Sequence, residues 1–201
     1  MLDAVLLISG SSYRMGREKA LLPFSEDNVF ITHIIQNYLQ IRTEKIILIV
    51  NKSNIDRIKN ACKSYSERLE FVLNLYPEQG RLWSIKTGLS SIEKGHGVFL
   101  QNIDNPFINS KLLNGLSALY NERTYVVPRF KEKNGHPLLL GEQIVKDFNS
   151  EIESITDFKQ FLNGYEKRNF LTDNKAILAN INTLEDYYKW FPDFADSFLA
   201  F

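Results

Sequence analysis

A chain of 201 residues, 44% hydrophobic and 24% charged, is long enough to bury a sizeable core and too apolar to be disordered. Its 24 Lys and Arg match its 24 Asp and Glu, so no net charge draws it to nucleic acid or an anionic membrane, and any anion site must be local. The single Cys62 precludes an internal disulfide, the apolar run at 4–9 is too short to span a bilayer, and Asp3 is the wrong flank for a signal peptide, so a cytoplasmic protein is expected, with no nucleic-acid and no membrane partner.

Taken in chain order, residues 4–8 (AVLLI), 45–50 (KIILIV), 69–73 and 97–100 are short apolar runs, as strands buried on both faces of a parallel sheet should be. Between them, residues 31–40, 55–66 and 82–91 repeat apolar side chains at three and four positions, the period of an amphipathic helix. Beyond residue 120, TYVVPRF and HPLLLG flank KEKNG, and Asn134-Gly135 predicts the hairpin turn. A second hairpin is predicted from NFLT and KAILANI around Asp173-Asn174, with helical patterns at 155–162 and 184–191. There is no repeat and no Pro-, Gly- or Ser-rich linker, so the expectation is one α/β domain over residues 1–201 with a mixed, mostly parallel sheet.

Ligands of such sheets sit beyond the carboxyl ends of the strands. GSSYRMGREK, residues 10–19, and NIDNPF, residues 102–107, occupy two such ends. The first loop has the glycines and cations of a phosphate cradle, but five residues separate Gly10 from Gly16 and Arg17 follows, which excludes a P-loop, and no G-x-G-x-x-G is present.

What Gly10, Ser12, Arg14, Met15, Gly16 and Lys19 spell is G-x-S-x-R-M-G-x-x-K, followed by LLPF. This resembles the signature loop of the MobA-like and MocA-like NTP transferases, which make molybdenum-cofactor dinucleotides and have more distant relatives acting on sugar phosphates and methylerythritol phosphate. GRLWSIKTGL (80–89), NIDNPF, NGHPLLL (134–140) and NINTLEDYY (180–188) are similar to four later segments of that family, in its order. The resemblance implies a three-layer Rossmann-like nucleotidyltransferase fold and transfer of a nucleoside monophosphate to a phosphorylated acceptor with release of pyrophosphate.

It also implies the roles. Ser9, Gly10, Ser11, Ser12, Gly16, Lys19, Gly80 and Ser84 would hold the nucleotide; Arg14 would face the β and γ phosphates, and Lys19 the reacting α phosphate. Asp104 would bind Mg²⁺, with Asn180 and Asn182 as neutral oxygen ligands, and His136 would bind substrate. The implied substrates are CTP or GTP and a molybdopterin-type acceptor, with a molybdoenzyme or cofactor-delivery protein downstream of a monomer or weak homodimer. Each segment also has a plain structural reading: Gly80 as a turn, Asp104 as a turn initiator, His136 as a packing residue and Thr183 as a helix start.

Two departures stand out. The family's LAAG or LAGG reads Leu7-Ile8-Ser9-Gly10 here, and its D-x-D-T-P-E-D reads N-I-N-T-L-E-D, which removes the second carboxylate. GRLWSIKTGL and NGHPLLL favour CTP while N-I-N-T favours GTP, two segments against one. A different phosphorylated acceptor, or a cofactor-binding protein with weakened turnover, are the competing readings. The closing WFPDFADSFLAF reads as a cover for the core or a contact with a second copy.

Overall fold

The computed structural model describes residues 1–10 and 15–194. Strand β1 (Leu2–Leu7) lies between β2 (Ile46–Val50) and β4 (Gly97–Asn102), and β3 (Leu69–Leu73) flanks β2; these pairings are all parallel. The sheet continues from β4 through β7 (Leu138–Leu140) to β5 (Thr124–Phe130), both antiparallel pairings, and ends on β8 (Glu166–Leu171), parallel to β5. It is therefore a mixed, mostly parallel sheet. Among the described residues no helix is long and apolar enough to cross a membrane.

The strands are continuous apolar runs because both faces are covered, and strand periodicity sorts their side chains between two cores. Ala4, Leu6, Ile8, Ile46, Leu48 and Phe99 face one core. There they meet α1 (Phe30–Gln40), α2 (Ile55–Ala61), α4 (Ser110–Ala118) and α7 (Leu184–Trp190). Val5, Leu7, Ile47, Ile49, Val98 and Leu100 face the other, against α3 (Arg81–Leu89), α5 (Glu142–Ser150) and α6 (Phe158–Leu162). Three layers result. Gly88 brings α3 onto the sheet: a Cβ there would stand 2.6 Å from Val5 Cγ1.

The chain departs from the sequence reading in several places. The hairpin turn after β5 is Lys131-Glu132, with Lys131 at φ 53°; Asn134 belongs to the return strand β6 (Lys133–Asn134). Gly135 serves a close approach instead, since a Cβ there would lie 2.4 Å from Ile177 O. The second hairpin does not form. KAIL is a 3₁₀ turn at Lys175–Leu178, and β8 pairs with β5 about forty residues earlier. The helix expected over 55–66 ends at Ala61 and continues as 3₁₀ turns, and α4 and α5 were not expected. Of the aromatic C-terminal stretch, Trp190, Phe191 and Phe194 join the first core, and residues 195–201 lie outside the described ones.

Candidate active site

Strands β1 to β4 present their carboxyl ends at one edge, and a polar residue follows each apolar run: Ser9, Asn51, Asn74 and Asn102. Backbone carbonyls that leave a sheet edge need donors. Asn51 Nδ2 donates to Ser9 O at 2.9 Å and Asn54 Nδ2 to Ile8 O at 3.1 Å. Asn51 Oδ1 in turn accepts from Ser53 N and Asn54 N, so the loop after β2 is tied to the end of β1.

Ser9 and Ser84, both expected at the nucleotide, meet hydroxyl to hydroxyl at 2.7 Å. Asn74 Nδ2 donates to both, at 3.2 and 3.1 Å, while Asn74 Oδ1 accepts from Tyr76 N at 2.9 Å. The two serines are almost fully buried, so their hydroxyls fasten the start of α3 to the ends of β1 and β3. This gives Ser9 its reason: a hydroxyl at the position where the family has a small apolar residue is satisfied by Ser84. Gly16 (φ 63°) and Gly80 (φ 82°) occupy left-handed backbone that glycine adopts without strain, and a Cβ on Gly10 would meet nothing within 4 Å. Ser11, Ser12 and Arg14 lie outside the described residues.

At the centre Lys19 Nζ donates to Asn182 Oδ1 at 2.6 Å, and Asn182 Nδ2 to Asn180 Oδ1 at 2.7 Å. Asn182 is placed by the start of α7. Its backbone N and that of Thr183 both donate to Asp186 Oδ2 at 3.0 Å, and Thr183 Oγ1 accepts from Asp186 N, so the plain helix-start reading of Thr183 holds. Tyr187 hydroxyl donates to Pro23 O at 2.8 Å and its ring stacks on Phe191, which ties α7 to the chain just beyond Lys19. Asp104 O accepts from Ile181 N at 2.8 Å, joining the segment of Asn182 to the end of β4. Burial raises the Asp104 carboxyl above the ordinary range, while Lys19 and Arg81 draw it back down.

His136 lies on the other side of Asp104's loop. Its Nε2 is 3.3 Å from Asn102 Nδ2, and Asn102 Oδ1 faces Arg81 Nε at 3.4 Å and Nη2 at 3.3 Å. Burial, followed by the charge of Arg81, holds the imidazole down to about 4, so it is neutral near pH 7. An acceptor at Nε2 puts the proton on Nδ1, which is buried without a partner.

Three contiguous cavities run along this edge. The first, about 810 Å³, is lined by Ser9, Gly10, Asn51, Asn74 and Pro77 together with Arg17, Glu18 and Arg57. The second, about 440 Å³, shares Ser9, Gly10 and Pro77 with it and adds Lys19, Ser84, Asp104 and Asn182. The third, about 370 Å³, shares Arg81, Asn102 and Asp104 with the second and holds His136 and Asn180. Glu18 is nearly covered; burial raises its carboxyl, and Arg57 at 3.7 Å opposes that.

Among the described residues no cluster of three or more His, Cys, Asp or Glu could cage a metal. Among those lining the second and third cavities Asp104 is the one carboxylate, beside the amides of Asn182 and Asn180, whose oxygens accept from Lys19 Nζ and Asn182 Nδ2. A carboxylate with amide oxygens is the donor chemistry of Mg²⁺, a hard cation that takes much of its shell from phosphate and water. The structure thus gathers Ser9, Gly10, Lys19, Gly80, Ser84, Asp104 and Asn182 around one cavity and places His136 and Asn180 in the next. Arg81, Asn51, Asn74 and Asn102 were not anticipated. For the three asparagines the available signal was an Asn directly after the apolar runs of β2 and β3 and two positions after that of β4.

The sequence model of the MobA-like NTP transferase domain matches residues 4–167. A probable molybdenum cofactor guanylyltransferase of Clostridium perfringens is 29% identical, with 92% of this chain and 93% of that one covered. The molybdenum cofactor cytidylyltransferase of Escherichia coli is 24% identical over the same shares of the two chains. Among solved structures, a nucleotidyl transferase from Methanothermobacter superposes with a TM-score of 0.78 at 18% identity, covering 98% of this chain and 99% of that one, which establishes the likeness of fold.

Proposed function

The chain belongs to the MobA-like NTP transferase family, and on that premise we propose that it transfers a nucleoside monophosphate from CTP or GTP to the terminal phosphate of a molybdopterin-type acceptor. An acceptor phosphate oxygen attacks the α-phosphorus, the α–β anhydride bond breaks, and pyrophosphate leaves. No side-chain nucleophile is needed, so the protein's contribution is position and charge.

The nucleoside occupies the first cavity, and the triphosphate reaches from there into the second, between Gly10 and Lys19. Lys19, held in the second cavity by Asn182, supplies positive charge to the α-phosphate. Asp104, with the amide oxygens of Asn180 and Asn182, would hold Mg²⁺. When bound, that ion neutralises charge on the phosphates. The acceptor occupies the third cavity, beside His136. The observation that carries this reading is the convergence of Lys19, Asn182 and Asp104 on the second cavity, with Asp104 shared with the third.

Purified protein with Mg²⁺, each NTP in turn and molybdopterin should release pyrophosphate; no release with any NTP overturns the proposal. Sugar phosphates and methylerythritol phosphate serve as competing acceptors in the same assay. CTP is favoured by GRLWSIKTGL and NGHPLLL, whereas the Clostridium relative is named for guanylyl transfer. The ratio of kcat/KM for CTP and GTP decides between them.

A further inference from the structure

We propose that Arg81 is the group that receives the acceptor's terminal phosphate, with Asn102 and His136 as its positioning residues. The inference rests on the transferase reading and names a component that reading requires. In the reaction one phosphate approaches another, and both are anionic. Lys19 lines the second cavity, on the nucleotide's side, and is absent from the lining of the third. Arg81 lines both, and it is the one Lys or Arg among the described residues that line the third. Asp104 sits at the same boundary and is given to the cation on the nucleotide's side, so Arg81 is the side-chain cation left to an acceptor phosphate arriving in the third cavity.

The guanidinium is presented suitably. Asn102 Oδ1 takes its Nε and Nη2 edge, which leaves Nη1 and the outer hydrogen of Nη2, a pair of donors that can meet two phosphate oxygens at once. Arg81 begins α3 directly after Gly80 and keeps exposed surface, while burial of its guanidinium, which lowers its pKa against the charge of Asp104, sets the group in the cavity wall where a ligand can meet it.

The amide of Asn102 could point either way. Only with Oδ1 towards Arg81 does it attract the guanidinium, and that orientation sets Nδ2 against His136 Nε2, where the Nδ1–H tautomer of the neutral ring accepts. A protonated ring would present Nε2–H and turn the amide round. His136 therefore acts on the acceptor through two neighbours.

The test separates phosphate recognition from turnover. Molybdopterin and its dephosphorylated form are titrated into wild type and Arg81→Gln, following quenching of protein fluorescence. Wild type should prefer the phosphorylated form about tenfold to hundredfold, and Arg81→Gln should lose that preference while binding the dephosphorylated form as before. Arg81→Lys should recover only part of it, because an ammonium is a single point charge. In steady state the acceptor KM should rise by a similar factor, with the NTP KM and the NTP-induced rise in Tm unchanged. Asn102→Ala should shift the acceptor KM in the same direction. A wild type that does not discriminate between the two forms, a preference that survives Arg81→Gln, or an equal loss of NTP binding would each overturn the assignment. Absent pyrophosphate release together with a phosphate preference lost in Arg81→Gln would sink the transferase reading and leave the assignment standing.

Discussion

Replacing Asn74 with alanine tests whether the floor of the nucleotide site is one unit. The substitution removes both donations, to Ser9 Oγ and Ser84 Oγ, and the bond accepted from Tyr76 N. Three neutral hydrogen bonds contribute about 0.5–1.5 kcal/mol each, and the Ser9–Ser84 contact survives, so a loss of roughly 2–3 kcal/mol is expected. For a chain near 200 residues that corresponds to a fall in Tm of roughly 5–10 °C. Because the network joins the ends of β1 and β3 to the start of α3, the NTP KM should rise as well, on the order of tenfold. Calorimetry on Asn74→Ala, Ser84→Ala and the double variant closes a thermodynamic cycle in which neighbours in one network couple by at least about 0.5 kcal/mol. A Tm within about 2 °C of wild type, or strictly additive losses, refutes the reasoning.

Gly88→Ala should cost about 1–3 kcal/mol, since its Cβ meets Val5 Cγ1 at 2.6 Å and Ile49 Cγ1 at 3.4 Å inside a packed core; an unchanged melting curve would contradict this. His136 titrates at about 4 when folded and near 6.5 when unfolded, so between those values only the unfolded chain takes up the proton. Stability is complete above pH 6.5 and falls as pH drops towards 4, by roughly 3 kcal/mol, and His136→Gln should flatten that part of the denaturation profile. Asp104→Asn should lower kcat on the order of a hundredfold or more, while the Tm stays level or rises because the replaced carboxylate is one that burial penalises. Retained turnover in that variant removes Asp104 from the reaction.

The four parallel strands were legible because burial on both faces makes their code local: an unbroken apolar run, with alternate residues sorted to opposite cores. Gly16 and Gly80 were legible because a positive-φ position is a demand of the backbone that residue type alone expresses, while Lys19, Asp104 and Asn182 were reached through the resemblance of their segments to one family. Helix α4 was missed for the opposite reason. Gly115 weakens its helical pattern, yet a Cβ there would stand 2.3 Å from the ring of Phe170, so the glycine answers to β8 and not to its own segment.

Gly135 was misread in the same way, as a turn residue when it makes room for Ile177 O. By itself the amino-acid sequence determined the layered α/β architecture, the family and most of the named residues that line the candidate cavities, because each depends on neighbours in the chain. Only the tertiary structure decided that KAIL is a 3₁₀ turn against Gly135 and that β8 returns to pair with β5. It likewise decided that Ser9 is answered by Ser84 and Asn74, and that Arg81 stands between two cavities beside Asn102. Those facts are contacts between segments tens of residues apart, and their energy exists only once the sheet has brought the segments together.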